Sequence, residues 1–203
     1  MLFNCCRSLN NINIPKYWFT TKLEDMSYMF NRCTNLLEIR NLRCVQTQFV
    51  KNMCGLFNGC EKLFSITIDF RTPTVEDMNI MFQNWKSLEK IDIRFGETKR
   101  LKNISGMFSG CKMLKSIRNL WIYSTENISN MTGLFKGYTK LVDLTDLRKW
   151  NMTKVENAKG LFYGCINLRT VPKGLTSWKF KKGTNYDKVL EGCFFIMYPQ
   201  LIF

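Results

Sequence analysis

Apolar side chains recur along this chain in fixed columns 25 to 28 residues apart. The plainest column is an aromatic residue followed three positions later by Cys. It reads Phe3 and Cys6, Phe30 and Cys33, Phe57 and Cys60, Phe82 and Trp85, Phe108 and Cys111, Phe135 and Tyr138, Phe162 and Cys165, and closes on Leu190 and Cys193. Three residues further on stands Leu, from Leu9, Leu36 and Leu63 to Leu168, followed at the same interval by Ile12, Ile39, Ile66, Ile91 and Ile117. Upstream of the aromatic run Leu23, Val50, Val75, Leu101, Ile128 and Val155, then Met26, Met53, Met78, Ile104, Met131 and Ala158. A period of this length marks a repeat protein, in which each unit buries its apolar stripe only against its neighbours.

Two elements are predicted within each unit. Leu23, Met26, Phe30 and Cys33 fall at i, i+3, i+7 and i+10, the spacing of one face of a three-turn helix. Thr21 with Glu24, and Thr153 with Glu156, have the T-x-x-E spacing of a helix start. Further on, Leu63, Ile66 and Ile68, or Leu88, Ile91 and Ile93, end in the alternation of a short strand. The expected fold is therefore α/β: a leucine-rich-repeat-like solenoid of about eight short helix-strand units with one parallel sheet. Residues 1–203 form a single repeat domain whose first and last units are incomplete. Glycines punctuate the turn of the GLFNGC type.

The succession of Val-x-x-Met, Met/Leu-Phe-x-x-Cys and Leu-x-x-Ile, as in VEDMNIMFQNWKSLEKIDI and VENAKGLFYGCINLRTV, resembles the BspA-like leucine-rich-repeat family. It is most similar to the 26-residue, DUF285-type surface-protein repeat of mycoplasmas, other low-GC bacteria and some parasitic protists. The resemblance spans nearly the whole chain. It implies a surface-exposed, non-catalytic protein associated with adhesion to host or matrix proteins, and it carries no catalytic residue to transfer. Such proteins usually have an export signal and an anchor, whereas Met1 here falls at the position of Gly55, inside a unit. The chain thus reads as a fragment or an unusual gene start.

Charge adds one asymmetry. The formal net charge is +14; the first 100 residues hold 14 basic and 10 acidic side chains, the remainder 16 and 6. A basic second half favours acidic partners, but the lysines are scattered, which favours a solvated surface and disfavours nucleic acid. The densest basic-aromatic cluster is Lys173, Lys179, Lys181, Lys182 and Lys188, around Trp178 and Phe180. No apolar run reaches the ~18 residues of a membrane helix, and the apolar C-terminus CFFIMYPQLIF reads as a cap strand, a self-association contact or the edge of a longer array.

Catalytic and metal chemistry find little footing. Histidine is absent, which removes the usual Ser-His-Asp and Cys-His arrangements. Trp85 and Tyr138 replace Cys in its own column, as befits a packing position. Cys5, Cys44 and Cys54 lie outside that column without metal-ligand spacing. Neither a phosphate-binding Gly-rich loop nor a dinucleotide fingerprint is present. Sequons at Asn103, Asn127, Asn130 and Asn151 recur with the repeat. Trp18, Tyr123, Trp150 and Trp178 keep a register that favours packing under a loop. No cofactor or metal is expected.

What remains is the outward face of the strands. Its candidate ligand-binding residues are Glu38, Arg40, Thr67, Lys90, Asp92, Arg94, Arg118, Asp143 and Thr145, mixing both charges with hydroxyls. The expected function is a non-enzymatic protein-interaction module, a surface or adhesion-type protein that takes a protein or glycan through this face. Its compartment is the cell surface or exterior if the chain is part of an exported protein, and the cytoplasm otherwise. Two alternatives stay open: an intracellular scaffold of a protist or large virus, and polyanion binding through the basic C-terminal half.

Overall fold

The computed structural model describes residues 2–18, 20–89, 91–114, 124–140, 149–168 and 178–193, and the backbone of 120–122. Among them there is no α-helix. Five short strands are present: β1 (Asn11–Asn13), β2 (Glu38–Arg40), β3 (Thr67–Phe70), β4 (Asp92–Phe95) and β5 (Leu120–Ile122). A single 3-10 turn, Leu42–Cys44, lies between β2 and β3.

The α/β solenoid of helix-strand units expected from the sequence is therefore corrected. The segment read as a helix is a run of overlapping tight turns. Met29 N donates to Met26 O, Asn31 N to Tyr28 O and Cys33 N to Phe30 O, all i to i−3. The amides between them leave the unit altogether: Met26, Tyr28, Phe30 and Arg32 donate to the carbonyls of Asn52, Cys54, Leu56 and Asn58 at 2.7–2.9 Å. The same four bonds recur at the next interface, from Met53, Gly55, Phe57 and Gly59 to Asp77, Asn79, Met81 and Gln83. A helix would need these donors for its own i−4 ladder. Here they join neighbouring units instead.

Backbone conformation explains why the helix loses. Each turn run from the second unit on holds two residues with positive φ, four apart. The first column is Tyr28, Gly55, Ile80, Gly106, Gly133, Gly160 and Lys188, with φ from 48° to 60°. The second is Arg32, Gly59, Asn84, Gly110, Gly137, Gly164 and Gly192, with φ from 56° to 76°. A right-handed helix cannot contain this left-handed conformation, whose cost Gly avoids. Leu23, Met26, Phe30 and Cys33 keep their helix-like spacing only because the turns direct them into the same core.

An acidic or amide residue opens each turn run. The side chains of Asp25, Asn52, Asp77, Asn103, Asn130, Asn157 and Asn185 each accept from the amide two residues on, as in Cys54 N to Asn52 Oδ1 at 2.9 Å. These seven positions pair in parallel from unit to unit. Such local side-chain bonds stabilise turns against helix, and they replace the expected T-x-x-E caps. Thr153, for example, bonds to Asn151.

The core is a column of stacked side chains. Rings of Phe3, Phe30, Phe57, Phe82, Phe108, Phe135 and Phe162 follow one another with centroids 5.4–6.2 Å apart and planes within 14°. Buried hydroxyls stitch the units below: Thr47 Oγ1 donates to Arg71 O, and Thr98 Oγ1 to Ser124 O, each at 2.7 Å. Trp150 and Trp178 are buried and stacked at 6.1 Å, as their register predicts.

The strands pair in parallel, yet not as one sheet. Among the described residues β1 and β2 form a pair, and β3, β4 and β5 form a second sheet. The division has a local cause. Where the third unit continues through Ile68 into a strand, the second has Asn41, which adopts a left-handed conformation (φ 59°) and starts the 3-10 turn. Buried Leu42 then fills the core, so β2 ends while β3 runs on to Phe70.

Candidate ligand-binding face

Strand alternation sends Ile12, Ile68, Phe70, Ile93 and Phe95 inward and their neighbours outward. Glu38, Arg40, Thr67 and Arg94 are exposed and Asp92 is half-buried. Register places them in rows: Asn11 beside Glu38 and Asn13 beside Arg40 on the first sheet, Thr67 beside Asp92 and Asp69 beside Arg94 on the second. Lys90, Arg118, Asp143, Thr145 and Lys173 lie outside the described residues.

Asn11, Asn13 and Asp69 share the face, and the sequence reading did not name them. The signal was present for Asp69, which alternates outward two residues after Thr67. Glu38 and Arg40 meet at 3.0 Å, and the guanidinium holds the Glu38 carboxyl below its ordinary range. The face thus offers both charges and hydrogen-bonding side chains on a backbone fixed by cross-unit bonds.

A groove of about 690 Å³ opens on this face at the division between the sheets. Its walls include Glu38, Asn41 and Arg43 on one side and Phe64, Thr67 and Asp69 on the other. Ile39, Leu42 and Ile66 also line it. Leu37 and Phe64, 45% and 60% exposed, stand at its margin. The volume falls within the ~300–1,000 Å³ of small-ligand sites.

The basic cluster is arranged differently. Lys181 pairs with Glu156 at 3.0 Å and Lys188 with Glu191 at 3.4 Å, while Lys179 and Lys182 are exposed. Trp178 is buried against Trp150, and Phe180 meets Trp178 edge-on at 6.0 Å. These rings belong to the packing.

All nine cysteines are free. From Cys33 on, those of the anchor column donate to the carbonyl of the aromatic residue in the preceding unit, Cys33 to Phe3 at 3.0 Å and Cys165 to Phe135 at 3.1 Å. Burial pushes the Cys33 thiol up to about 11 and that of Cys165 to about 12, so neither is a ready nucleophile or ligand. Among the described residues no group of three or more His, Cys, Asp or Glu could hold a metal ion. No helix there is long and apolar enough to cross a membrane.

The family model described as "Mycoplasma protein of unknown function, DUF285" matches residues 1–121 and again 89–197. The chain belongs to this family. The BspA-like, DUF285-type resemblance read from the repeat columns is correct. The chain also matches two solved structures of leucine-rich repeat proteins. A T. pallidum protein is 19% identical, with 70% of this chain and 69% of that one covered and a TM-score of 0.36. A Bacteroides ovatus protein is 20% identical over 94% of this chain, also with a TM-score of 0.36. The chain spans 55% of the length of the latter. No curated relative matches the chain.

Proposed function

We propose that this DUF285 chain is a non-catalytic interaction module that takes a protein or glycan ligand through its outward strand face. One observation carries the reading: Glu38, Arg40, Thr67, Asp69 and Arg94 are exposed on strands whose backbone is held in register. Polar side chains on rigid elements are organised before the ligand arrives, which lowers the ordering cost of binding. The mixture of both charges with hydroxyl and amide groups suits a protein or a glycan better than a polyanion. Lys90, Arg118, Asp143 and Thr145 extend the same face in this proposal, and adhesion at a cell surface is the role it serves.

The test uses immobilised extracellular-matrix proteins and a glycan array. Wild type is expected to bind at least one of these saturably, and Asp92→Lys with Arg94→Glu to weaken that binding at least about tenfold at an unchanged melting midpoint. Equal binding by the double variant contradicts the proposed face.

One observation favours a second reading, an intracellular scaffold using the same surface: the nine cysteines are unpaired, as in a reducing compartment. Polyanion binding through Lys173, Lys179, Lys181, Lys182 and Lys188 has less support, because two of these lysines already hold carboxylate partners.

A further inference from the structure

A second cleft, of about 510 Å³, lies across the first four units, and none of the residues lining it belongs to a strand. Glu61 and Lys86 on its wall neutralise each other at 2.7 Å. Arg7 and Arg32 also line it, and no other carboxylate does, so two positive charges remain once that pair is set aside. Beside them stand the amides of Asn58, Gln83 and Asn84 and the hydroxyl of Thr34, and no apolar side chain. Among the described residues, none of these six side chains is held by a hydrogen bond or an ion pair. The backbone adds an independent observation. From the second unit on, the second left-handed column is Gly at every position but two, Arg32 (φ 56°) and Asn84 (φ 58°), and both line this cleft. Asn tolerates that conformation through its short polar side chain, whereas Arg has no such relief. The Arg32 stem lies over Gly59, where an added Cβ would stand 3.6 Å from its Cγ. Backbone strain kept at a residue whose charge has no partner in the fold points to a partner outside it.

We propose that this cleft is a separate binding site for an acidic saccharide. The guanidiniums of Arg7 and Arg32 take its carboxylate or sulfate group, and Asn58, Gln83, Asn84 and Thr34 meet its hydroxyls. The planar fork of a guanidinium matches an oxyanion with two parallel hydrogen bonds. Primary amides and hydroxyls both donate and accept, which is what sugar hydroxyls, themselves donors and acceptors, require. A protein partner would need aromatic or aliphatic anchors at the centre of its contact, and these walls offer none to receive them. An uncharged sugar would leave both guanidiniums without a counter-charge, so the acidic group decides the affinity. The site lies apart from the strand face and holds whether or not that face binds a ligand.

The test follows backbone amide resonances of the whole chain at low salt while titrating methyl glucuronide, methyl glucoside 6-sulfate and uncharged methyl glucoside. The expected result is saturable shifts centred on Arg32, Thr34, Asn58 and Asn84 with an acidic sugar, and binding at least about tenfold weaker for the uncharged one. Arg32→Gly puts in place the residue that five later units carry. It is expected to keep or raise the melting midpoint while weakening the acidic sugar at least about tenfold. Arg7→Gln, at an exposed position, is expected to weaken it likewise. Binding of the glucuronide alone assigns a carboxylate, binding of the sulfate alone assigns a sulfate ester, and either supports the proposal. Equal affinity for the uncharged sugar, undiminished binding by Arg32→Gly or by Arg7→Gln, or no saturation by ~10 mM overturns it. Inorganic sulfate binding as tightly as either acidic sugar also overturns it, since the hydroxyl contacts would then contribute nothing.

Discussion

The Cys111 thiol donates to the carbonyl of Phe82, one unit earlier, at 3.1 Å. Burial pushes this thiol up to about 12 from an ordinary 9.0, because its thiolate has no water to meet. A group that holds its proton more tightly when folded stabilises the fold below its unfolded value and loses that contribution as pH rises toward the folded one. Stability is therefore expected to be flat to about pH 8.5 and to fall between pH 9 and 12, by about 1.4 kcal/mol per unit for this thiol alone. Urea unfolding across that range checks it, and a flat profile to pH 11 contradicts the buried thiol column.

Phe108 stacks between Phe82 at 5.6 Å and Phe135 at 6.2 Å. Phe108→Ala removes both contacts and leaves a cavity in the middle of the column, at an expected cost of about 3–5 kcal/mol. Since each unit contacts only its neighbours, the loss is expected to divide one unfolding transition into two. Calorimetry reads both effects.

Across the unit interfaces, charges alternate down one column: Glu24 meets Lys51 at 2.8 Å, and Glu76 meets Lys102 at 2.8 Å. All four groups are well exposed, so screening governs them. Lys102→Ala is expected to lower the melting midpoint slightly at low salt and not at all in ~1 M NaCl. A difference that persists in high salt contradicts this account of the ladder.

The columns were legible in the sequence because packing admits few substitutes at Phe30, Phe57 or Val50, all fully buried. The element carrying them was not, since overlapping turns and a helix both send Leu23, Met26, Phe30 and Cys33 to one side. The deciding signal was Gly55 with Gly59, Gly106 with Gly110, Gly133 with Gly137 and Gly160 with Gly164: paired glycines four apart weaken a helix and suit left-handed turns. On the strand face, Glu38, Arg40, Thr67 and Arg94 followed from simple alternation. The groove did not, because it arises from a difference between units, Asn41 standing where its neighbour has Ile68.

The stack of turns makes the strand face possible, and Gly133 tests it most directly. Its φ is +58°, and a Cβ added there would come no nearer than 3.6 Å to Lys136 Cβ, so substitution strains the backbone without a clash. In a helix, Gly133→Ala would gain about 1 kcal/mol. In a left-handed turn it costs about 1–2 kcal/mol. The measurement is the unfolding free energy of Gly133→Ala in urea: the structure predicts a loss of that size, and an equal or greater stability than wild type would contradict it.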